Sequence, residues 1–560
     1  MKSYKLYLLS LLSGLLLTFA WFPHGFLPLI FIAFVPLLFV EQAVSNHSQK
    51  YKSLILFACC YLTFLTWNVL VTWWVKNASF GGAAMAILCN SLLMTIVFLL
   101  FHKTKKRVGE KYSALIFISF WLAWEYFHLN WDLSWPWLTL GNVFADTPSI
   151  IQWYEYTGVF GGSLWILIVN YLVFKLTIKQ NQSPFSVSIS GSEGGGNGFE
   201  QSRGMFFFKS KVKIFITVSV VIIIPIIISI FICGLFGKNI TQQPKGIEIV
   251  IAQPNIDPYY EKFNGDFDAQ IIKMLELAAR KVNQETEYLI LPETALAENS
   301  WEDQMEQSSS IQLIRKFLKS FPHLKIVVGA SSSIMYRPGD QLSITARKFP
   351  DSNDYYDAYN TALQIDSSNT IQIYHKSKLV PGVEKMPFPF IFKHLENFAI
   401  DLGGTAGSLG TQEDRTVFKS TEGDYATAPV ICYESIYGEY VAEYINNGAQ
   451  FISIITNDGW WGDTPGYKQH LKYGALRAIE TRKWIARSAN TGISCFITPL
   501  GEIIQPTQWW VPAVISQKIQ LTNEQTFYVR FGDYIAKAGI YLAILFLIYY
   551  WLIRFKIIKK

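Results

Sequence analysis

The sequence predicts a membrane protein that consists of an eight-helix transmembrane bundle and an outer α/β domain. Hydrophobic residues make up 51% of the 560-residue chain and charged residues only 16%, well below the roughly 25% that is usual in soluble proteins. Eight apolar runs are near the length of about 20 residues that a helix needs to cross a bilayer. Between the last two of them, from Gly246 onward, short β-branched runs alternate with polar helical stretches, which is typical of a layered α/β domain.

The first apolar run follows a short N-terminus with two lysines and lacks the small-residue cleavage site of a signal peptide, so we expect it to remain as a span. The second run is interrupted by Pro28 and Pro36, and the seventh contains Pro225. The eight predicted spans are residues 6–22, 26–40, 54–75, 83–101, 114–129, 159–174, 214–236 and 535–553.

Basic residues are concentrated in the loops on one side of these spans. They follow spans four and six, precede span seven and close the chain: Lys103, Lys105, Lys106, Arg107, Lys175, Lys179, Lys209, Lys211, Lys213, Arg554, Lys556, Lys559 and Lys560. The loops 76–82 and 130–158 on the other side carry one Lys and no Arg. The positive-inside rule therefore predicts cytoplasmic termini and a domain on the outer, periplasmic face of a bacterial inner membrane.

This topology predicts three parts. Residues 1–236 form the transmembrane region, residues 237–533 the outer domain, and residues 534–560 the last span with a basic tail. Within the first part, residues from about 180 to 204 are rich in Ser, Gly and Asn, and we expect them to form a disordered cytoplasmic linker.

Aromatic side chains crowd the outer loop 130–158, namely Trp131, Trp135, Trp137 and Trp153, together with Pro136. The loop is predicted to be either an aromatic belt at the membrane interface or a lid or lipid-binding rim beside a membrane-facing site. Glu125 lies near the outer end of span five. It is either a functional carboxylate inside the membrane or an interfacial one that water solvates.

The outer domain is long enough to bury a full core of its own. The predicted strands are residues 247–252, 288–291, 325–329, 362–365, 371–374, 428–431, 451–456 and 493–497, and the predicted helices are residues 267–283 and about 309–320. The domain has no CxxC pair, P-loop or G-x-S-x-G elbow, and the eight histidines of the chain are scattered. We therefore expect neither a metal site nor a cofactor, and nothing in the sequence points to nucleic acid.

Three predicted strands end in a side chain that can do chemistry: Glu293, Lys376 and Cys432. Taken singly, a lone Cys is usually a small buried hydrophobe, and Glu and Lys are usually exposed. Sites in layered α/β folds, however, collect at the carboxyl ends of strands. A carboxylate can take the proton of a thiol, and a lysine can stabilise the charge that develops on an attacked carbonyl. Together the three residues predict a nucleophilic cysteine with a base and a cation.

In this order, Glu293, Lys376 and Cys432 resemble the catalytic triad of the nitrilase superfamily. The chain resembles in particular its membrane-embedded branch, the apolipoprotein N-acyltransferases, over nearly its whole length. The segments that carry this resemblance are residues 253–256, 374–381 with Glu384 and Pro387-Phe388, 431–435, 456–461 and 528–533. The order of seven spans, an outer domain and a last span is also similar. The resemblance implies an αββα-layered outer domain.

The resemblance also implies a mechanism and its partners. Glu293 deprotonates Cys432, whose thiolate takes an acyl chain from a phospholipid as a thioester, and the amine of a diacylglyceryl-cysteine on a lipoprotein then accepts the chain. Lys376 and backbone N–H groups near Tyr433 stabilise the oxyanion. Glu384 and Glu434 orient Lys376 and Glu293, respectively. We expect the enzyme to act as a monomer.

The sequence departs from the family pattern at two positions beside the triad, because Leu291 stands where a Trp is common and Val383 where a Gly is common. Phe263 aligns only with a one-residue shift and is left out of the predicted site. Lys378 is the rival of Lys376, and a disulfide between Cys495 and Cys432 would abolish the thiol. Two other functions remain open, a membrane-anchored amidase and a receptor with an inactive nitrilase-like domain.

Overall fold

A computed structural model of the protein describes residues 3–46, 52–181, 197–240, 246–263, 265–388, 408–421 and 423–558. Most of the predicted linker, residues 182–196, lies outside the described residues. The helices of the N-terminal part are α1 (Ser3–Ala20), α2 (Val35–Ser45), α3 (Lys52–Thr72), α4 (Phe80–Val108), α5 (Ser113–Leu129), α6 (Tyr154–Asn181) and α7 (Asn197–Ile240). After the outer domain come a short helix, α12 (Phe527–Phe531), and the long helix α13 (Tyr534–Arg554).

Small residues and hydroxyl groups let these apolar helices pack closely. A Cβ added to Gly14 of α1 would lie 2.6 Å from the Thr63 carbonyl oxygen of α3. The Thr63 hydroxyl donates to the Ser10 carbonyl oxygen at 2.9 Å. In an apolar medium, such close backbone contact and interhelical hydrogen bonding replace the hydrophobic effect as the source of helix association.

The predicted count of eight spans is not confirmed, because seven of the described helical segments are long and apolar enough to cross a bilayer. The exception is α5, the predicted fifth span, which has 17 residues and is therefore about 26 Å long, less than the roughly 30 Å of a hydrocarbon core. It still packs along α4 and α13. The helix is short because the polar sequence after Leu129 turns into a loop that folds against the outer domain.

The outer domain contains two sheets. The first consists of β1 (Ile247–Gln253), β2 (Thr286–Ile290), β3 (Leu296–Trp301), β4 (Lys325–Met335), β5 (Arg347–Lys348), β6 (Tyr355–Ile365), β7 (Gln372–His375) and β14 (Ala513–Ile519). The second consists of β8 (Phe418–Lys419), β9 (Ala426–Ile431), β10 (Phe451–Thr456), β11 (Ile485–Ala489), β12 (Cys495–Ile497) and β13 (Ile503–Ile504).

Parallel strands form the centre of each sheet. In the first sheet the order is β14-β1-β2-β4-β6-β5, with β3 paired to β4 and β7 paired to β6. The neighbours β1, β2 and β4 are parallel, and in the second sheet, of order β13-β12-β11-β10-β9-β8, so are β9, β10 and β11. Parallel central strands bring their carboxyl ends to one edge of each sheet, which is where sites collect in such folds.

Among the described residues of this domain, four helices of nine or more residues cover the sheets: α8 (Phe267–Ala278), α9 (Ser309–Leu318), α10 (Gly438–Asn446) and α11 (Pro465–Thr481). Residues of α8 and α9 share a buried apolar cluster with the first sheet. Residues of α10 and α11 pack with the second sheet, and the two sheets contact each other through β1 and β11. The predicted αββα layering is confirmed.

Helix α11 also fastens the outer domain to the bundle. Gln469 of α11 accepts a hydrogen bond from the Trp137 indole at 2.7 Å and donates to the Phe22 carbonyl oxygen at 3.0 Å. Directly after α11, the guanidinium of Arg482 pairs with the Glu155 carboxylate of α6 at 2.7 Å. The bundle and the domain therefore share buried polar contacts as well as an apolar core.

Candidate active site

The three predicted reactive residues lie at strand ends that border one cavity. Glu293 comes three residues after β2, Lys376 directly follows β7, and Cys432 directly follows β9. Because β2 and β7 belong to the first sheet and β9 to the second, the cavity lies between the edges of the two sheets. All three side chains line it.

The carboxylate of Glu293 is buried and held by three donors. Its Oε1 accepts from the Asn360 amide at 2.8 Å and from Lys376 Nζ at 3.1 Å, and its Oε2 accepts from the Asn457 backbone N–H at 3.1 Å. Hydrogen bonds to the charged form fix both the position and the ionised state of a carboxylate.

The ammonium group of Lys376 lies between two carboxylates. Its Nζ is 3.1 Å from Glu293 Oε1 and 2.7 Å from Glu384 Oε1. The rival Lys378 points elsewhere, since its Nζ lies over the Tyr437 ring, 4.9 Å from the centroid. The structure thus brings Lys376 to Glu293 and leaves Lys378 in another contact.

Cys432 is the turning point between β9 and a short 3₁₀ helix, Cys432–Ile436. Its φ angle of +47° is in the left-handed region, which costs energy for any residue with a Cβ. The side chain is partly exposed, and it borders the cavity. The sharp turn thus aims the sulfur out of the sheet, and the first N–H groups of the 3₁₀ helix follow immediately.

Burial and charge set the ionisation of the triad. Burial works against the charged form of Glu293, but Lys376 and Lys262 outweigh it and hold the pKa of the carboxyl below its usual range. Burial also disfavours the Lys376 ammonium, yet Glu293 and Glu384 raise its pKa well above the usual value. Burial, reinforced by the charge of Glu293, raises the pKa of the Cys432 thiol. The resting site therefore holds a neutral thiol and an ionised carboxylate, the pair that general-base activation requires.

The supporting residues are only partly where the sequence places them. Glu384 contacts Lys376, and its Oε2 accepts from the Val380 backbone N–H at 2.8 Å. Glu434 does not contact Glu293, which corrects the predicted role. It turns back instead and accepts from the Ile431 and Ser377 backbone N–H groups at 2.8 and 2.7 Å. Because Glu434 follows the reversal at Cys432, its side chain braces the strand end from behind.

Tyr433 stands in the wall of the cavity beside the nucleophile. Its hydroxyl donates to the Ser134 carbonyl oxygen at 3.0 Å, and its ring stacks on Trp135 with centroids 6.2 Å apart. The side chain of Tyr433 therefore ties the turn at Cys432 to the outer loop 130–158.

The cavity has a volume of about 610 Å³, well within the range of small-molecule sites. The triad lies on one side. The residues of α4 on the other side are Gly82, Met85, Ala86, Cys89, Asn90 and Leu93. They alternate steps of three and one residues along the sequence, which places them on a single helical face. The twelve residues from Gly82 to Leu93 extend for about 17 Å along the helix axis. One cavity therefore connects the triad to the side of a membrane helix.

The tryptophans of loop 130–158 differ in their surroundings. Trp135 and Trp137 line the cavity, and Trp137 is fully buried. Trp153 packs on Trp165 of α6, with centroids 5.8 Å apart. Glu125 accepts hydrogen bonds from the Trp121 indole at 3.0 Å and from the Leu140 backbone N–H at 2.8 Å, so it anchors this loop to α5.

Four further residues line the cavity. Lys262, Asn360 and Asn457 were not predicted as site residues from the sequence, and Phe263 was considered there but left out. Lys262 is buried, its Nζ donates to the Glu293 carbonyl oxygen at 2.9 Å, and burial lowers its pKa to about 8. Asn457 directly follows β10, so the strand-end argument would have found it. Lys262 and Asn360 gave no such signal, because one lies in a polar turn and the other inside a strand.

A cluster of ionisable side chains lies behind Cys432, and two of its three members are buried. One ligand atom each of Cys432, Asp458 and His470 come within 4.8 Å of one another, and these are residue types that bind metals. However, Arg487 pairs with Asp458 at 2.6 Å, and a guanidinium beside a site disfavours a second cation there. Cys495 is buried in β12, and both Cys495 and Cys432 are free thiols, so the disulfide between them is not formed.

Known protein families are similar in sequence to most of this chain. The family model described as the apolipoprotein N-acyltransferase N-terminal domain matches residues 13–172, and that of carbon-nitrogen hydrolase matches residues 249–527. An apolipoprotein N-acyltransferase of Chlorobaculum tepidum is 29% identical over 94% of this chain and 93% of its own length. One of Haemophilus influenzae is 26% identical over 95% of this chain and 92% of its own.

Among solved structures, an amidase from Nesterenkonia sp. is similar to the chain, with 15% identity and a TM-score of 0.35. The match covers 51% of this chain and 94% of the amidase.

Proposed function

Because the chain belongs to the apolipoprotein N-acyltransferase family, we propose that it transfers an acyl chain from a phospholipid to the N-terminal amine of a diacylglyceryl-cysteine on a lipoprotein. The chain is an acyltransferase with a carbon-nitrogen hydrolase domain. The proposal adds the donor, the acceptor group and a thioester on Cys432 as the intermediate.

One observation carries this proposal, the cavity that joins the triad to the apolar face of α4. An amidase for small polar substrates needs no opening toward a membrane helix. An enzyme that acts on a lipid ester does need such an opening, because the ester carbonyl must reach Cys432 while the acyl chain stays in an apolar environment. The segment Phe80–Val108 is long and apolar enough to span a bilayer, so a chain that lies along Ala86 and Leu93 can remain at membrane depth.

In the first half-reaction, Glu293 accepts the thiol proton of Cys432, and the thiolate attacks the ester carbonyl of the phospholipid. Lys376 and the backbone N–H of Tyr433 stabilise the oxyanion that forms. The bond between the carbonyl carbon and the glycerol oxygen breaks, and Glu293 returns the proton to that oxygen. A lysophospholipid leaves, and the acyl chain remains on Cys432 as a thioester.

In the second half-reaction, the α-amine of the lipoprotein attacks the thioester. An α-amine has a reference pKa of about 8, so near neutral pH a base that accepts its proton still accelerates the step. Glu293 accepts this proton, the carbon–sulfur bond breaks, and the thiolate of Cys432 takes the proton back. The two half-reactions make a ping-pong cycle.

Charge distribution supports a periplasmic active site in an inner membrane. The last turns of α4 and α13, which carry basic residues, lie at the end of the bundle remote from the outer domain. The opposite end of α4 begins after Ser79, which lines the cavity. By the positive-inside rule, the basic end is cytoplasmic. Glu293, Lys376 and Cys432 of a single chain line one cavity, and we propose that a monomer is active.

The decisive experiment is intact-mass analysis of the purified protein after incubation with phospholipid. The wild type should gain the mass of one acyl chain, and a lipopeptide with a free α-amine should discharge it. Cys432→Ala and Cys432→Ser should gain no thioester. Acyl transfer to the lipopeptide by Cys432→Ala, or a wild type that never carries an acyl group, would refute the proposal.

A competition assay separates the acyltransferase from an amidase or other hydrolase. The acyl-enzyme is offered water, ammonia and the lipopeptide amine together, and the products are quantified. We expect N-acylated lipopeptide to dominate. A predominance of free fatty acid or fatty amide would assign the site to hydrolysis or to amide chemistry with a small amine.

A further inference from the structure

The buried pair Asp458–His470 lies directly behind the nucleophile and outside the proposed chemistry. His470 is on α11, and Asp458 follows β10 by two residues. The His470 Nδ1 is 2.9 Å from Asp458 Oδ1, and its Nε2 is 3.1 Å from the carbonyl oxygen of Cys432. Both side chains are buried, so the cavity reaches neither of them and they contact no substrate.

The hydrogen-bond partners of His470 show which of its ring nitrogens acts as a donor. A carbonyl oxygen only accepts, and so does an ionised carboxylate. Burial works against the charge of Asp458, but Arg487 and His470 hold the pKa of Asp458 below its usual range, and Arg487 is 2.6 Å from its other oxygen. The Nε2 of His470 is therefore the donor to the Cys432 carbonyl oxygen, whereas its Nδ1 faces Asp458 and, at 3.3 Å, the Arg487 guanidinium. Ser435 Oγ lies 3.0 Å from the same Nε2, and the Trp137 ring stacks on the imidazole with centroids 6.1 Å apart.

The carbonyl that His470 binds belongs to the peptide unit that joins Cys432 to Tyr433. Ser435 Oγ donates to the same oxygen at 2.7 Å. A trans peptide is planar, and its C=O and N–H point in opposite directions. Both donors hold the Cys432 carbonyl oriented toward α11. The Tyr433 N–H of the same peptide unit therefore points the opposite way, toward the cavity that Cys432 and Tyr433 line. As one of the first N–H groups of a helical turn, it has no acceptor within that turn.

We propose that His470, held by Asp458, is a positioning residue that aims the Tyr433 N–H at the oxyanion of the acyl-transfer reaction. The inference rests on the proposed function, since it assumes that Cys432 attacks a carbonyl carbon. His470 does not take part in proton transfer. It fixes one peptide plane in a turn where the φ of +47° at Cys432 would otherwise favour relaxation.

Two reactions of the same thiol test this role. Attack on a phospholipid ester builds an oxyanion, whereas alkylation by iodoacetamide displaces iodide from a saturated carbon and builds none. In His470→Asn, which has no donor at the Nε2 position, acyl-enzyme formation should fall about 10²–10³-fold, the cost of losing one oxyanion donor. The alkylation rate of Cys432 should remain close to that of the wild type.

The matched variant is His470→Gln, whose side-chain amide can place an N–H near the position of Nε2. It should recover a large part of the acylation rate that His470→Asn loses. If His470→Asn does not fold, Ser435→Ala removes the other donor to the same carbonyl, and we expect acylation to fall by up to about tenfold with alkylation unchanged.

Three results would overturn the inference: wild-type acylation in His470→Asn, a parallel fall of alkylation and acylation, or a His470→Gln variant no better than His470→Asn. A wild type that forms no thioester would instead refute the proposed function, so the two failures are distinguishable.

Discussion

Four charged side chains, three of them buried and Glu384 partly exposed, surround the proposed reaction centre. Glu293 and Glu384 are the carboxylates, and Lys376 and Lys262 are the ammonium groups. Lys376 pairs with both carboxylates, and Lys262 donates to the backbone carbonyl oxygen of Glu293. Because every charged group has a partner, the site avoids the high cost of an isolated buried ion. The balance also keeps Glu293 ionised beside a neutral thiol. Removal of one cation should therefore shift the pKa values of the remaining charged groups.

Lys376→Met should raise the pKa of Glu293, because burial would then face less opposing charge. A carboxyl with a raised pKa is protonated up to a higher pH and cannot accept the thiol proton. The acid limb of the rate profile for acyl-enzyme formation should therefore move to higher pH, and the rate at neutral pH should fall by at least about 10²-fold. The measurement is the initial rate of thioester formation as a function of pH.

Lys378→Met is the matched control for this prediction. The Lys378 ammonium group packs over the Tyr437 ring and lies 3.4 Å from the Leu129 carbonyl oxygen, away from the triad, so the acid limb of this variant should stay at the wild-type position. Equal shifts in the two variants would show that the pH dependence does not arise from the pairing of Lys376 with Glu293.

At the scale of elements, α4 connects the membrane to the active site. The face with Met85, Ala86 and Leu93 lines the cavity, while Leu88 is 50% exposed on another face of the same helix. A helix that begins beside the catalytic domain and continues into the bilayer can hold an acyl chain along its length. The size of the side chains on the cavity face should then limit which chains fit.

Ala86→Phe should narrow the cavity beside α4 and reduce the use of long acyl chains. Mismatch in an apolar pocket typically costs tenfold or more, so thioester formation from a long-chain phospholipid should fall by about tenfold or more. A short-chain phospholipid and iodoacetamide should react with Cys432 at nearly the wild-type rate. Time courses of the intact mass with the two donors give the ratio of the long-chain to the short-chain acylation rate.

Leu88→Phe makes a similar enlargement on the exposed face of α4. It should leave the preference for chain length unchanged. If Leu88→Phe alters the preference as much as Ala86→Phe does, the acyl chain does not lie in the cavity beside α4.

The elements were predictable from the sequence where a continuous apolar run is bounded by polar residues. The strands 428–431 and 451–456 lie within β9 and β10 because each is a continuous β-branched or apolar run bounded by polar residues. Strands β5 and β8, of two residues each, carry no such run, and their pairing depends on neighbours distant in the sequence. Likewise, the strand ends predicted Glu293 and Cys432, but only the folded turn brings Lys262 beside them.

At the scale of the whole molecule, the outer domain is fixed to the bundle by buried polar contacts. Arg482 donates to Glu155, to the Gln152 backbone and to the Pro499 carbonyl oxygen, at 2.7, 2.9 and 2.9 Å. The guanidinium thus joins the segment after α11 to the start of α6. This docking sets where the cavity meets the membrane helices.

Arg482→Ala should destabilise this docking, because it leaves the Glu155 carboxylate buried without its cation. Breaking a buried ion pair by removal of one partner costs about 3–5 kcal/mol. Thermal unfolding in detergent should show a clearly lower transition temperature, and protease should cut the variant faster. Arg530→Ala, at an exposed position, is the control, and an equal effect of both changes would contradict the proposed importance of Arg482.

Because the backbone of Cys432 is in the left-handed region, inactive variants at this position should differ in stability. Alanine and serine keep a Cβ and therefore keep the conformational penalty, typically about 1–3 kcal/mol. Glycine adopts φ of +47° without that penalty. A Cys432→Gly protein should thus tolerate more denaturant than either of the usual dead variants, so for structural work with trapped lipids it is the more robust choice. Any residue with a Cβ bears this conformational cost at position 432, and the proposed acyl transfer through a thiol requires such a residue there.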